Sequence, residues 1–237
     1  MANASITTID SILKSILGLF YPSICPGCSK ILMNGEDMIC VNCLFDLPFT
    51  DIHNKINNQV EERLAGKIPF DAATALCFYQ KSSTIQSLIQ ALKYRGNTDI
   101  GLYLGEMLGR SLSYSNRFND IDYIIPVPLH PMKLRMRGYN QSDFIGEGVS
   151  VALNASVSNE NLVRSKHTQT QTTKSIFDRW KNVSQIFECL DPDQFANKHV
   201  LVVDDVITSG STLEGCISAL TVIPGIKISV ALIACAE

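Results

Sequence analysis

The chain has 237 residues, of which 46% are hydrophobic and 18% are charged, and its formal net charge is −3. This composition is typical of a globular protein with a packed core and excludes a disordered or fibrous chain. The length allows one full α/β domain with a small appendage but not two large domains. The small negative charge argues against a protein that binds nucleic acid with its whole surface.

Residues 1–22 carry apolar side chains at helical spacing, which predicts an amphipathic N-terminal helix. Asp10 and Lys14 interrupt the apolar run and no basic segment precedes it, so a secretory signal is not favoured. The predicted helix could dock on the body of the protein or contact a membrane surface or a partner. No apolar run is long enough to span a membrane, and we expect a cytoplasmic protein.

Residues 23–49 contain two pairs of cysteines, and two residues separate the members of each pair. Four thiolates at this spacing can converge on one tetrahedral zinc ion at about 2.3 Å, so we expect a zinc ribbon with a turn at Asn34-Gly35. Redox-active dithiols and unliganded thiols are the alternatives. Four protein ligands leave no open position for a substrate, which indicates a structural role. The four predicted ligands are Cys25, Cys28, Cys40 and Cys43.

Residues 50–68 are polar and predict a connector or a short exposed helix, and the main domain is expected to span residues 69–237. Its predicted strands are 73–80, 122–127, 199–203 and 227–235, and its predicted helices are 83–94, 98–115, 141–153 and 211–221. Strands that are apolar throughout and alternate with helices indicate a parallel sheet with helices on both faces. The predicted fold class is therefore α/β.

The most informative segment is residues 200–212, VLVVDDVITSGST. It predicts a buried strand that ends in Asp204 and Asp205, followed by a loop of small residues that opens a helix. The backbone N–H groups of such a loop and the positive end of the helix favour a phosphate dianion. The two carboxylates suit a vicinal diol or a Mg²⁺-bound sugar. The predicted phosphate loop comprises Thr208, Ser209, Gly210, Ser211 and Thr212.

This segment resembles the thirteen-residue signature of the type I phosphoribosyltransferases. The resemblance implies that the two acids bind the ribose hydroxyls of phosphoribosyl diphosphate, with Mg²⁺, and that the loop holds its 5′-phosphate. In purine-salvage members an acid acts near the base at the position of Thr208, so no general base is assigned from the loop. The implied fold is a type I phosphoribosyltransferase-like parallel sheet flanked by helices, with the small zinc ribbon at its N-terminus.

Residues 130–182 carry eight basic residues against four acids, so this segment is a candidate for facing an anion. Its first part predicts a loop that faces a diphosphate, and its polar second part predicts a flap that orders over bound ligand. His130 could be a cap or a ligand, and Lys174 could contact phosphate or be exposed. The candidate residues of the diphosphate loop are Lys133, Arg135, Arg137, Gly138, Asn140 and Gln141. Those of the flap are Arg164, Gln171, Lys174 and Arg179.

The motifs PVPLHP (126–131) and RGYNQ (137–141), together with the cysteine pairs, resemble the competence protein F (ComF) family from about residue 12 to the C-terminus. The family resemblance implies a part in natural transformation, in which single-stranded DNA is taken up. The fold implies a transferase that moves a phosphoribosyl group, with Mg²⁺ and basic loops neutralising the diphosphate leaving group.

Two hypotheses follow from these resemblances. In the first, the protein uses phosphoribosyl diphosphate with Mg²⁺ and supports DNA uptake. In the second, it is a non-catalytic adaptor that binds single-stranded DNA or nucleotides and contacts helicase or channel proteins of the uptake machinery, at the inner face of the cytoplasmic membrane. Salvage of a free base is less favoured, because the zinc ribbon occupies the region that would supply a hood for the base.

Overall fold

A computed structural model describes residues 22–164 and 186–236 of the chain. Five parallel strands form the main sheet in the order β1-β7-β6-β2-β3, and two more strands form an antiparallel ribbon. The main-sheet strands are β1 (Ala72–Tyr79), β2 (Tyr123–Pro126), β3 (Ser156–Val157), β6 (His199–Ile207) and β7 (Lys227–Ala236). The ribbon pairs β4 (Leu162–Arg164) with β5 (Phe187–Cys189). The expected α/β class, a parallel sheet flanked by helices, is confirmed.

Seven α-helices lie in the described part of the chain. They are α1 (Val41–Phe45), α2 (Gln59–Leu64), α3 (Thr84–Tyr94), α4 (Asp99–Ser113), α5 (Pro131–Arg137), α6 (Gln141–Leu153) and α7 (Ser211–Leu220). Two 3-10 turns add Asn116–Phe118 and Pro192–Phe195. Among the described residues, no helix combines the length and apolar character needed to cross a bilayer.

Strand β6 shows how the sheet separates two layers of core. Leu201 and Val203 pack with the buried side chains of α3, α4 and α6, whereas Val200 and Val202 pack with those of α2 and α7. This alternation is expected for a strand whose successive side chains point to opposite faces. Strand β6 is buried on both faces, and this explains why its sequence is apolar from residue 200 to residue 203.

The two strands beside β6, β2 and β7, end at different positions along it. Pairing with β2 stops at Pro126 opposite Val203, but pairing with β7 continues to Ile207 opposite Cys235. Asp204 and Asp205 therefore lie within β6 rather than after it, and the predicted end of this strand at residue 203 is wrong. Among the described residues, β6 beyond residue 203 therefore pairs with a strand only on the side of β7.

Glycines bring α4 and α6 into close contact. A Cβ atom on Gly105 would overlap the carbonyl oxygen of Ile145, and one on Gly148 would overlap that of Leu102. Only a residue without a side chain fits such an approach of two backbones. The packing holds α6 against the sheet, so that its first turn contacts the part of β6 that β2 does not cover.

The residues before β1 also pack on the main core. Phe78 donates its backbone N–H to Pro48 at 2.8 Å, and Thr50 donates its backbone N–H to Leu76 at 3.0 Å, so residues 48–50 extend along β1. In the expected connector, residues 59–64 form helix α2, which buries Val60 and Leu64. The expected limits of separate units at residues 22, 49 and 68 stay a prediction.

Residues 131–137 form a helix, whereas the sequence predicted a loop. The N-terminal end of α5 has Pro131 in its first turn and His130 as its cap, with Nδ1 accepting the backbone N–H of Met132 at 3.2 Å. Gly138 ends the helix in the left-handed region, at φ +84°. Of the other predictions, residues 1–21 of the N-terminal helix and the flap residues Gln171, Lys174 and Arg179 lie outside the described residues.

Candidate functional site

Asp204 and Asp205, which we call the acid pair, lie where β6 passes the end of β2. Asp204 Oδ1 accepts a hydrogen bond from Ser142 Oγ at 2.8 Å and another from the backbone N–H of Asp205 at 2.9 Å. Ser142 is fully buried in the first turn of α6. The close packing of α6 on α4 thus fixes the orientation of the first carboxylate.

The second carboxylate has a cationic neighbour. Lys93 Nζ, in the last turn of α3, lies 2.9 Å from Asp205 Oδ2, and the two side chains are 24% and 6% exposed. The contact is an ion pair without the alignment of a hydrogen bond, because within the described part of the chain Oδ2 has no hydrogen-bond partner. Within the described part of the chain, Lys93 is the cation that pairs with the acid pair, so the site has more negative than positive charge when both acids are ionised.

Burial and the neighbouring charge of Asp205 raise the pKa of Asp204. Burial is the largest cause and the negative charge of Asp205 is the second, while the two accepted hydrogen bonds and Lys93 act in the opposite direction. The pKa rises to about 7 from the ordinary 3.8. A carboxylate in this state gains from an added cation or from hydroxyl donors, since either one stabilises its ionised form.

The phosphate loop, residues 208–212, is separated from the acid pair by two residues and leads into α7. Gly210 stands at φ +83° as the residue before the helix, and no side chain caps the helix there. Among the described residues, no group accepts a hydrogen bond from the backbone N–H of Thr212 or Leu213. Thr208, Ser209 and Ser211 are exposed and add hydroxyl groups. Together these open donors can bind an anion.

Two cations outside the loop hold its backbone. Arg63 donates to the carbonyl oxygen of Thr208 at 3.2 Å and to that of Ala236 at 2.7 Å, and Lys67 Nζ donates to the carbonyl oxygen of Ser209 at 3.3 Å. Both side chains come from the region predicted to be a connector, at and just beyond the end of α2. Both contacts hold carbonyl oxygens of the phosphate-loop backbone in place.

Helix α5 carries the predicted diphosphate-loop cations, and none of its residues is buried. Lys133 and Arg135 are exposed, together with Met132, Leu134 and Met136. Arg137 is different, since its guanidinium donates to Gln141 Oε1 and lies 5.5 Å from the centroid of the Tyr94 ring. Tyr94 follows Lys93 in α3, so Arg137 connects α5 with α3, the helix that supplies Lys93 to the acid pair.

The other predicted residues of this segment make contacts within the protein. Asn140 Nδ2 donates to the carbonyl oxygen of Val127 at 3.1 Å and to Asp143 Oδ1 at 2.7 Å. Gln141 is buried and orients Arg137, while Gly138 ends α5. Arg164 lies in β4, with its guanidinium 5.2 Å from the centroid of the Phe187 ring. These residues make contacts within the protein, and their predicted contacts with phosphate stay a prediction.

The four cysteines of the N-terminal region form a separate cluster. The sulfur atoms of Cys25, Cys28, Cys40 and Cys43 all lie within 4.8 Å of one another, so the cluster could bind a metal such as zinc. Sulfurs about 3.8 Å apart surround a tetrahedral zinc ion at 2.3 Å, and the separation of Cys28 Sγ from Cys40 Sγ is 3.6 Å. Gly27 is required for space, since a Cβ atom there would lie 2.9 Å from Cys43 Sγ.

The predicted hairpin between the cysteine pairs is only partly present. A turn occurs at Asn34 and Gly35, where Gly35 has φ +92°. The antiparallel bridge, however, joins Ile24 to Ile31 across the first pair. The segment after the turn is held by Glu36, whose carboxylate accepts the backbone N–H groups of Met33 and Val41, both at 2.7 Å.

Four residues that contact the acid pair or the phosphate loop were not predicted from the sequence: Lys93, Ser142, Arg63 and Lys67. The first lies in the segment Lys93-Tyr94-Arg95-Gly96, where two cations at a helix C-terminus precede a glycine, and this signal could have been noticed. The other three lie in sequence that is not distinctive. Their role depends on helix packing that no local pattern reveals.

Known proteins are similar to this chain over most of its length. Competence protein F of Haemophilus influenzae is 30% identical over 195 residues, which cover 81% of each chain. The DNA utilization protein YhgH of Escherichia coli K12 is 28% identical over 200 residues, which cover 83% of each chain. A comparison with protein-family models finds no match.

Solved structures give weaker similarities. Glutamine phosphoribosylpyrophosphate amidotransferase from B. subtilis has a TM-score of 0.43 and 18% identity, and the similarity covers 60% of this chain and 30% of that one. Adenine phosphoribosyltransferase from Saccharomyces cerevisiae has a TM-score of 0.32 and 17% identity, with 64% and 68% covered.

The described part of the chain is an α/β protein, with a parallel five-stranded sheet flanked by helices and a four-cysteine cluster before that sheet. The similarity to the Haemophilus protein is extensive enough to assign the family. The chain belongs to the competence protein F family.

Proposed function

We propose that the protein binds phosphoribosyl diphosphate, or a related ribose phosphate, together with Mg²⁺, and that this binding supports DNA uptake in natural transformation. One observation carries the proposal. The acid pair, with Lys93 as its cationic neighbour, and the phosphate loop, which leads into a helix that no side chain caps, lie side by side at one edge of the sheet. Relatives named for competence and DNA utilization support the cellular role.

The parts of the site match the parts of such a ligand. The 5′-phosphate would accept hydrogen bonds from the backbone N–H groups of Thr212 and Leu213 and from the hydroxyl groups of the phosphate loop. The ribose hydroxyls would donate to the acid pair, where Asp204 has a raised pKa and lacks a cation of its own. The diphosphate would face the exposed cations of α5, Lys133 and Arg135.

If a transferase reaction occurs, the bond from C1 of the ribose to the diphosphate oxygen breaks and an acceptor forms a new bond at C1. Bound Mg²⁺ would neutralise charge on the diphosphate that leaves. Thr208 is exposed, and its carbonyl oxygen is bound to Arg63, so the loop contributes no acid or base to this step. A proton acceptor for the reaction would have to come from the attacking molecule or its partner.

Calorimetry on the zinc-loaded protein tests the proposal. We expect phosphoribosyl diphosphate to bind only with Mg²⁺ present and to lose at least about a hundredfold in affinity in the Asp204→Asn/Asp205→Asn variant, since charge-assisted contacts are lost. Asp122→Asn is the matched control, because that carboxylate binds Lys198 and His199 at the opposite edge of the sheet. Failure of the folded, zinc-loaded protein to bind this ligand would refute the proposal.

A second candidate is the adaptor that binds single-stranded DNA without chemistry. It is favoured by α5, where two exposed cations alternate with three exposed apolar side chains and no residue is buried. Such a surface suits a phosphate backbone with its unstacked bases. We expect salt-dependent binding of oligothymidylate that weakens in Lys133→Gln/Arg135→Gln. Anisotropy that gives an unchanged affinity and salt slope in this variant would exclude α5 as the binding surface.

A further inference from the structure

Lys93 is a cation placed inside the candidate site. Its ammonium lies 2.9 Å from Asp205 Oδ2, and this carboxylate is only 6% exposed. In the described part of the chain, no hydrogen-bond donor reaches Oδ2, so the ammonium is what neutralises it. The lysine thus occupies the position that a cation bound to the acid pair would need.

The place of Lys93 in the fold allows the ammonium to move. It lies in the last turn of α3, it is 24% exposed, and the exposed Tyr94 and Arg95 follow it before Gly96 at φ +69°. Arg137 of the basic helix lies over the ring of Tyr94. Lys93 is thus the sequence neighbour of a residue that contacts Arg137, one of the residues predicted to face the diphosphate.

The free energy needed to displace the Lys93 ammonium from the acid pair differs between a free divalent ion and a divalent ion that binds together with a polyanion. The free ion must displace the ammonium and leave it next to a second positive charge, which is unfavourable at short range. An ion that carries a diphosphate supplies the displaced ammonium with a new anionic partner. The exchange of partners then costs little.

We propose that Lys93 determines the specificity of the acid pair by holding its cation position against free divalent ions, so that the pair accepts such an ion only together with a polyanion. This inference rests on the proposed function of the same site. Lys93 acts through Asp205 and is a positioning residue.

Binding of Mn²⁺ alone to the zinc-loaded protein, followed by electron paramagnetic resonance, tests the inference. We expect Lys93→Gln to bind Mn²⁺ at least about tenfold more tightly than the wild type, because a unit charge near a divalent ion has been removed. Lys93→Arg retains the charge and should bind Mn²⁺ as weakly as the wild type. Added Asp204→Asn should abolish the gain, which assigns the new site to the acid pair.

Lys227→Gln is the matched control for loss of a positive charge. This lysine is exposed at the start of β7, opposite His199, about 20 Å along the sheet from the acid pair. General damage to the site would lower Mn²⁺ affinity, whereas the inference requires a rise. If Lys93→Gln fails to fold, Lys93→Met serves as a second neutral variant with the same expected result.

The outcomes separate this inference from the proposed function. Mn²⁺ affinity that is unchanged or lower in both neutral variants overturns the role of Lys93, even if phosphoribosyl diphosphate binds with Mg²⁺. A tenfold rise that depends on Asp204 supports it, and absence of phosphoribosyl diphosphate binding in the same protein would then refute only the proposed ligand. A rise of equal size in Lys227→Gln overturns the inference, since the effect would be one of total charge.

Discussion

Replacement of Asp204 by asparagine should stabilise the protein at alkaline pH. The asparagine side chain has the same shape, and its oxygen can still accept the hydrogen bonds from Ser142 and from the backbone of Asp205. What the change removes is the negative charge, which burial and the neighbouring carboxylate disfavour. The effect must depend on pH, because the charge forms only above the pKa of Asp204.

The size of the effect follows from the shift in pKa. The folded-state pKa of Asp204 is about 7 against an ordinary 3.8, and each pKa unit corresponds to about 1.4 kcal/mol. A raised pKa stabilises the folded protein below pH 3.8, and this contribution is lost as the pH rises to about 7. The advantage of Asp204→Asn should therefore grow by up to about 4 kcal/mol from acid to pH 8, and by about 3 kcal/mol from pH 5 to pH 8.

Urea unfolding of the zinc-loaded, ligand-free protein at pH 5, 6, 7 and 8 measures this difference. Asp122→Asn is an informative control, because the His199 N–H and Lys198 lower the pKa of Asp122. Its difference from the wild type should stay nearly constant from pH 5 to pH 8, because Asp122 is already ionised in both the folded and the unfolded protein over this range. A difference for Asp204→Asn that stays constant from pH 5 to pH 8, or that shows the variant to be less stable at pH 8, would refute the reasoning.

Removal of metal with a chelator, or Cys25→Ser, should release one zinc per chain and lower the melting temperature, because the cysteine cluster packs in the main core; zinc-free protein with unchanged melting would contradict this. In calorimetry, Arg63→Gln should weaken phosphoribosyl diphosphate binding by about tenfold, since a backbone contact of the phosphate loop is lost. The control Arg110→Gln, on an exposed face of α4, should bind the ligand normally. Gly148→Ala should destabilise the protein by about 2–3 kcal/mol in urea unfolding, because its methyl group overlaps a carbonyl oxygen of α4; Ser150→Ala on the same helix should change stability by less than about 0.5 kcal/mol.

Elements with strong local signals were predicted well. Helix α6 has the bounds that its sequence predicts, and the apolar strands around residues 72–79 and 227–236 differ from prediction by one residue at their ends. Helix α5 was mistaken for a loop, because its proline, Pro131, and its alternating charged and apolar residues show no helical face. The helix forms through its caps, His130 and Gly138, with no buried side chain of its own.

Strand β6 and the supporting residues of the site show what local sequence cannot reveal. The two aspartates suggested a strand end, but hydrogen bonds to β7 extend the strand to Ile207. The acid pair and the phosphate loop were recognised because their residues are contiguous. Lys93 and Arg63 reach the same edge from sequence positions more than a hundred residues away, and their contacts depend on how the helices pack.

A crystal structure of the zinc-loaded protein with phosphoribosyl diphosphate and Mg²⁺ would show whether the acid pair and the phosphate loop bind this ligand. We expect the 5′-phosphate within hydrogen-bond distance of the backbone nitrogens of Thr212 and Leu213, with the ribose hydroxyls at Asp204 and Asp205. A ligand bound instead in the polar groove at the opposite edge of the sheet, lined by His199 and Lys198, would rule out the proposed site, as would crystals that take up no ligand.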